Sequence, residues 1–274
     1  MAEIIMKGSE VSSSIQESLT GKFANLEIVK VGARPDDLSY QRGIIKRFSA
    51  LGFGVNIHEL PENISQSDFD SEFERINKDS SNQGILLFRP LPSHLSDEKA
   101  CKIINPFKDI DCMSPINLAG VFAGVKNSFA PCTALAVMEM LNYYKISLTG
   151  QNVVIVGRSL VLGRPLSMLM LSENATVTIC HSKTKNLAEI CKRADIIIAA
   201  AGQAGIITPE FVNDKSVIVD VGINLSPEGK ICGDVDYERV APIVHAISPV
   251  PGGVGAVTTS VLAKILVKAA ILQR

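Results

Sequence analysis

Four short apolar runs in the second half of the chain leave few folds open: Asn152–Val156 (NVVIV), Ala175–Cys180 (ATVTIC), Ala194–Ala200 (ADIIIAA) and Ser216–Val221 (SVIVDV). Each is rich in β-branched residues and apolar at successive positions, as a strand covered on both faces must be. Helical stretches separate them, at Pro165–Leu171, Asn186–Lys192 and Pro209–Val212. This alternation predicts βαβ units on a parallel sheet. The first half follows the same rule: strands over Leu26–Val31, Gly54–Leu60 and Gly84–Phe88 alternate with helices over Ser39–Leu51 and Asp68–Lys78. A helix over Thr133–Lys145, with Thr133 available as its N-cap, and an amphipathic segment over Thr258–Leu272 complete the pattern. The fold class is α/β with two domains: an N-terminal βαβ domain over 1–128 and a C-terminal Rossmann-type parallel sheet over 129–257. The segment 258–274 is expected to pack back on the first domain.

Composition removes several functions. Of 274 residues 46% are hydrophobic and 20% charged, enough apolar matter for a sizeable core. The net charge of −1 argues against binding to a phosphate backbone, and 5% aromatics without tryptophan leave no base-stacking platform. The N-terminus lacks a signal peptide, and nowhere do eighteen apolar residues run together. Six cysteines (101, 112, 132, 180, 191 and 232) form no CxxC pair and no cluster with zinc-ligand spacing. The chain therefore reads as a cytoplasmic protein with reduced thiols, no metal, no nucleic acid and no membrane partner.

The strand NVVIV runs into Gly157-Arg158-Ser159, and Gly163-Arg164-Pro165 follows before a helix. A glycine after a buried strand lets backbone N–H groups approach a phosphate at a helix N-terminus. The spacing is not GxGxxG, so the general dinucleotide fingerprint is only approximated. At the end of the next strand an NAD-selecting unit carries a carboxylate for the ribose 2′-hydroxyl. Here the stretch is Cys180-His181-Ser182-Lys183-Thr184, without one. His181, Lys183 and the hydroxyls, with Arg158 across the turn, suit a 2′-phosphate, so NADP is expected as cofactor. Two further loops, Asp220–Asn224 (DVGIN) and Pro249–Gly255 (PVPGGVG), follow strand-like segments, where α/β sheets place ligands.

These segments together resemble the methylenetetrahydrofolate dehydrogenase/methenyltetrahydrofolate cyclohydrolase family. The resemblance rests on VGRSLVLGRP (156–165), NATVTICHSKT (174–184), ADIIIAAAG (194–202), DVGIN, GDVD (233–236) and PVPGGVGAVT (249–258), with KDID (108–111) and PCT (131–133) in the first half. It implies two domains flanking a cleft, a homodimer, and NADP-dependent oxidation of 5,10-methylenetetrahydrofolate to the 5,10-methenyl cation. By the same resemblance Gly157, Arg158, Ser159, Ser182 and Ile223 bind the cofactor, Ser182 at the 2′-phosphate. Tyr40 stacks on the pterin, Asp111 grips it, and Pro249, Gly252, Gly253 and Gly255 line the substrate side.

The chain also departs from the family. Where the family has Tyr-x-x-x-Lys, the position four after Tyr40 is Ile44. Lys46 lies about 200° further round the helix, and Arg47 shares the face of Ile44 but is no general base near neutral pH. The family's Gln in QLPLP is Phe88, the glycine after the aspartate is Cys112, and the proline after PGGVG is Ala256. Hydride transfer asks mainly for alignment, whereas hydrolysis of the methenyl cation to 10-formyltetrahydrofolate asks for a proton carrier. The dehydrogenase is thus expected to survive and the cyclohydrolase to be weak or lost. The alternatives are a fully bifunctional enzyme using other groups, an NADP dehydrogenase of a shikimate-like hydroxy acid, and a non-catalytic NADP-binding sensor.

Overall fold

The computed structural model describes residues 2–273, the Asp36 side chain excepted. In chain order the strands are β1 Ile4–Ile5, β2 Asn25–Val31, β3 Gly54–Leu60, β4 Gly84–Leu87, β5 Asn152–Val156, β6 Thr176–Cys180, β7 Ile196–Ala199, β8 Val217–Asp220, β9 Asn224–Leu225, β10 Ile231–Cys232 and β11 Ala246–Ile247. The helices are α1 Gly8–Ser18, α2 Pro35–Leu51, α3 Gln66–Lys78, α4 Asp97–Ile103, α5 Pro115–Phe122, α6 Cys132–Tyr143, α7 Gly163–Ser172, α8 Leu187–Lys192, α9 Tyr237–Val240 and α10 Thr258–Leu272. They form two compact units. One comprises Ile15–Cys132 and Thr259–Arg274; the other comprises Met1–Ser14 and Thr133–Thr258.

The first unit is built on a parallel three-stranded sheet in the order β3-β2-β4. On one face Val29, Val31, Leu60, Ile85 and Leu87 pack against Phe69, Phe73 and Ile76 of α3. Burying an aromatic or aliphatic side chain stabilises by about 1.5–3 kcal/mol, which is why the 3–4 spacing of Phe69, Phe73 and Ile76 fixes the docked face of α3. Ser65 caps α3 by accepting the Asp68 N–H at 3.1 Å. Helix α2 starts earlier than the periodicity suggested, because Pro35 occupies its first turn with φ already set, and Gly52 ends it in the left-handed conformation at φ 74°.

The second unit carries a six-stranded sheet in the order β1-β11-β8-β7-β5-β6, every neighbouring pair parallel. Strands β7 and β8 are buried throughout, as their composition requires. Strand β6 lies at the edge, so Thr176, Thr178 and Ile179 reach solvent, against the expectation of cover on both faces. Three more readings are corrected here. Ile4 and Ile5 pair with Ala246 and Ile247, so residues 2–14 belong with the six-stranded sheet and not with a domain spanning 1–128. A two-residue strand is too short to carry a period. Helix α6 begins at Cys132, which places Thr133 inside it instead of at its N-cap. The stretch Pro209–Val212 is a single 3₁₀ turn, Pro209–Phe211.

Candidate active site

In the three-stranded unit, Tyr40 lies on α2 with 38% of its surface open, and its ring meets that of Phe88 at 5.6 Å and 33°. Ile44, one helical turn on, and Phe48 are fully buried, and Phe88, just past the end of β4, is buried. Lys46 is exposed, as its angular position on the helix requires. Burial pushes the Tyr40 phenol well above its ordinary value, with the thiol of Cys132 and the carboxylate of Asp111 adding to the effect. Next to Tyr40 in sequence, Gln41 keeps its Oε1 buried without a hydrogen-bond partner among the described residues. Such an atom is the kind a polar ligand satisfies.

The KDID segment divides its labour. Lys108 is buried and its Nζ donates to the carbonyls of Asn77, at 2.9 Å, and Asp79; burial lowers its pKa. Asp109, fully buried, accepts from the N–H groups of Met113 at 2.9 Å and Ser114 at 2.8 Å and from Asn117 Nδ2 at 2.9 Å. These two side chains hold the loop and the start of α5. Asp111 is left open at its surface, yet protein crowds its carboxyl and strips its hydration, raising its pKa to about 6. Hydrogen bonds from the thiol and amide of Cys132 pull in the other direction. Cys112 takes φ 57°, the left-handed region that favours glycine, which explains the family's glycine at this position.

In the six-stranded unit, the turn after β5 lines a cavity of about 320 Å³ with Gly157, Arg158, Ser159, His181 and Ser182. A side chain at Gly157 (φ 149°) would strike the Ala200 carbonyl, and one at Gly163 would strike the carbonyl of Gly157. The turn thus closes only with glycine at both places, which brings its backbone to the wall of the cavity ahead of the α7 N-terminus, a setting suited to a phosphate. No carboxylate is among the residues that line it. Lys183 is exposed and does not line the cavity, nor does Ile223, whose side chain is also open.

The DVGIN and GDVD motifs are tied together by their carboxylates. Buried Asp220 accepts from the N–H groups of Gly222 at 2.9 Å, Asp234 at 3.1 Å and Val235 at 2.9 Å. Burial raises its pKa to about 6 against the effect of these bonds. Asp234 accepts from Ala201, Gly202 and Gln203 N–H groups and from Asn224 Nδ2 at 2.9 Å. Gly222 and Gly233 leave room for each carboxylate, since a Cβ at either would overlap the other motif's aspartate. In the PVPGGVG loop, Gly252 takes φ 98° and its carbonyl accepts from the Gly8 N–H at 2.8 Å. Gly253 is buried against Pro249, while Gly252 and Gly255 are exposed. The site residues read from the sequence therefore fall into two groups, Tyr40 and Asp111 in one unit and the rest in the other.

A glycine-turn cradle on a parallel sheet, joined to a second α/β unit carrying an aromatic ring and a carboxylate of raised pKa, defines a two-domain nicotinamide-nucleotide enzyme. The family description "Tetrahydrofolate dehydrogenase/cyclohydrolase, NAD(P)-binding domain" matches residues 131–274, and "Tetrahydrofolate dehydrogenase/cyclohydrolase, catalytic domain" matches 6–111. The chain belongs to this family. It is 50% identical to the bifunctional protein FolD of Clostridioides difficile, over 98% of this chain and 97% of that one. The crystal structure of the FolD enzyme of Campylobacter jejuni superposes with a TM-score of 0.95 at 36% identity, covering 98% and 99% of the two chains. That of Trypanosoma brucei, complexed with NADP and an inhibitor, gives 0.90 at 33% identity, covering 98% of each.

Proposed function

We propose that this chain oxidises 5,10-methylenetetrahydrofolate to 5,10-methenyltetrahydrofolate with NADP, and hydrolyses the product weakly or not at all. One observation carries the second half: Ile44 and Phe88, both buried and apolar, stand where the family's lysine and glutamine are expected. When bound, NADP accepts the hydride. The protein's part is to orient the substrate and exclude water. Tyr40, resting on Phe88, offers a flat surface for the pterin, and Asp111 accepts hydrogen bonds from its amino and ring N–H groups. The charge of Asp111 also suits a substrate that becomes a cation. Arg158 and Ser182, sharing one cavity without a carboxylate, support NADP over NAD, as does the NADP in the Trypanosoma brucei structure.

Hydrolysis needs water activated and a proton moved as the ring opens, assistance worth ~10²–10⁴ in rate. An isoleucine and a phenylalanine supply neither. A fully bifunctional enzyme is the second reading, favoured by the name of the Clostridioides difficile relative; Arg89, whose charge acts on Asp111, would then be the first group to examine. The family resemblance further leads us to expect a cytoplasmic homodimer, which sedimentation of the purified chain tests. For the reaction itself, purified protein given methylenetetrahydrofolate and NADP should form NADPH, and Asp111→Ala should abolish it. No NADPH from the unaltered protein would refute the reading.

A further inference from the structure

A charge lies hidden beside this site. Lys30 is among the largest fully buried side chains of the described residues, 1% exposed, and its Nζ meets Glu59 Oε2 at 2.6 Å. The β2–β3 register sets Lys30 opposite Glu59. On the other side, β2 pairs with β4 up to Val29 and Leu87, and the Phe88 N–H donates to the Val29 carbonyl at 2.8 Å, which carries the ladder on to Lys30 opposite Phe88. Paired residues of a parallel ladder share a sheet face. Val29 and Leu87 pack toward α3, so Lys30 and Phe88 lie on the other face, where the Phe88 ring meets Tyr40 of α2. A row thus crosses the C-terminal edge of the sheet: Glu59, Lys30, Phe88, Tyr40.

Burying an ammonium costs several kcal/mol unless pairing offsets it, and an apolar residue of similar volume would often serve stability better. The pair is also lopsided. The Glu59 side chain is 57% exposed, so water screens its charge, whereas protein surrounds that of Lys30. A ligand resting on Tyr40, with Phe88 behind it, is therefore exposed to a net positive field from beneath. We propose that Lys30 is a positioning residue that tunes the charge of the bound folate, acting through space across Phe88, with Glu59 setting its strength. The proposal rests on the reading that Tyr40 and Asp111 hold the folate.

The direction of the effect follows from the reaction. Oxidation creates a cation; hydrolysis discharges it. In hydrolysis water's oxygen bonds to the methenyl carbon and the carbon–N5 bond breaks with its electron pair on N5. One proton of the water goes to N5 and the other to solvent. A buried positive charge therefore weakens binding of the methenyl cation, opposes its formation and favours its hydrolysis. Shape-preserving Lys30→Met should bind 5,10-methenyltetrahydrofolate about threefold or more tighter, raise the dehydrogenase rate and lower any hydrolysis rate. Glu59→Gln, which leaves the ammonium uncompensated, should weaken methenyl binding, by a smaller factor because water already screens Glu59. A merely structural role would lower both half-reactions together in both variants. Binding is read by titrating the unaltered chain and both variants with 5,10-methenyltetrahydrofolate, with thermal unfolding confirming that each variant is folded. Opposite shifts in the two folded variants support the proposal. Equal affinities, shifts of the same sign, or unfolding of Lys30→Met overturn it while the folate reading stands, and absence of binding by the unaltered chain overturns both.

Discussion

Three side chains near the site have consequences that single substitutions can read. Arg158 lines the nucleotide cavity with Ser182. A charge-assisted phosphate contact is worth about 1.5–3 kcal/mol, so NADP should be used at least about tenfold more efficiently than NAD, and Arg158→Ala should remove the difference. Comparison of kcat/KM for the two cofactors checks this. Asp111 is a carboxyl whose pKa burial raises to about 6. Below that value it becomes neutral and loses acceptor strength, so dehydrogenase kcat/KM should fall as pH drops through about 6, and Asp111→Asn should lack this limb. Cys112 holds φ 57° with a buried thiol. Cys112→Gly relieves roughly 1–2 kcal/mol of left-handed strain but loses thiol burial and adds chain entropy, so its stability should change by less than about 1 kcal/mol. Denaturant unfolding decides the sign.

Among the elements, those with a full period were legible in the sequence and those without one were not. Strands β2 to β5, β7 and β8 and helices α2, α3, α6 and α10 announce themselves through apolar spacing, with errors of a few residues at Pro35 and Cys132. Strands β1 and β11, two residues each, carry no signal of their own; β11 is defined by its pairing with β8 and β1 by its pairing with β11. The edge position of β6 was hidden for the opposite reason, because a strand's composition does not state its neighbours. The KDID motif marked Asp111 by resemblance, but the anchoring role of Asp109 depends on where Met113, Ser114 and Asn117 fold back to meet it. Lys30 carries no signal of its own in the sequence, since only the sheet register sets it opposite Glu59 on one side and Phe88 on the other. Asp109→Ala removes three hydrogen bonds and orphans buried donors at the start of α5. We expect a loss of about 2–4 kcal/mol, measurable as a lowered denaturant midpoint with unchanged slope.

At the scale of the whole chain, the glycine cradle resides in one unit and Tyr40 with Asp111 in the other, and each is built on its own parallel sheet. That division fits a reaction in which alignment of two bound rings does most of the work. Ile44 and Phe88 both lie in the unit without the glycine cradle, so on the proposed reading their apolar character leaves the nucleotide half unchanged. Restoring the carrier should require both partners: Ile44→Lys alone places an ammonium in a fully buried position against Phe88, whereas Ile44→Lys with Phe88→Gln should raise hydrolysis by more than the sum of the singles. The most direct measurement follows both products at once, by supplying methylenetetrahydrofolate and NADP to the purified chain and recording NADPH, methenyltetrahydrofolate and 10-formyltetrahydrofolate against time. The account predicts that methenyltetrahydrofolate accumulates in step with NADPH, at a rate well above its conversion to the formyl product. Formyl product appearing as fast as NADPH, with no methenyl intermediate building up, would contradict it.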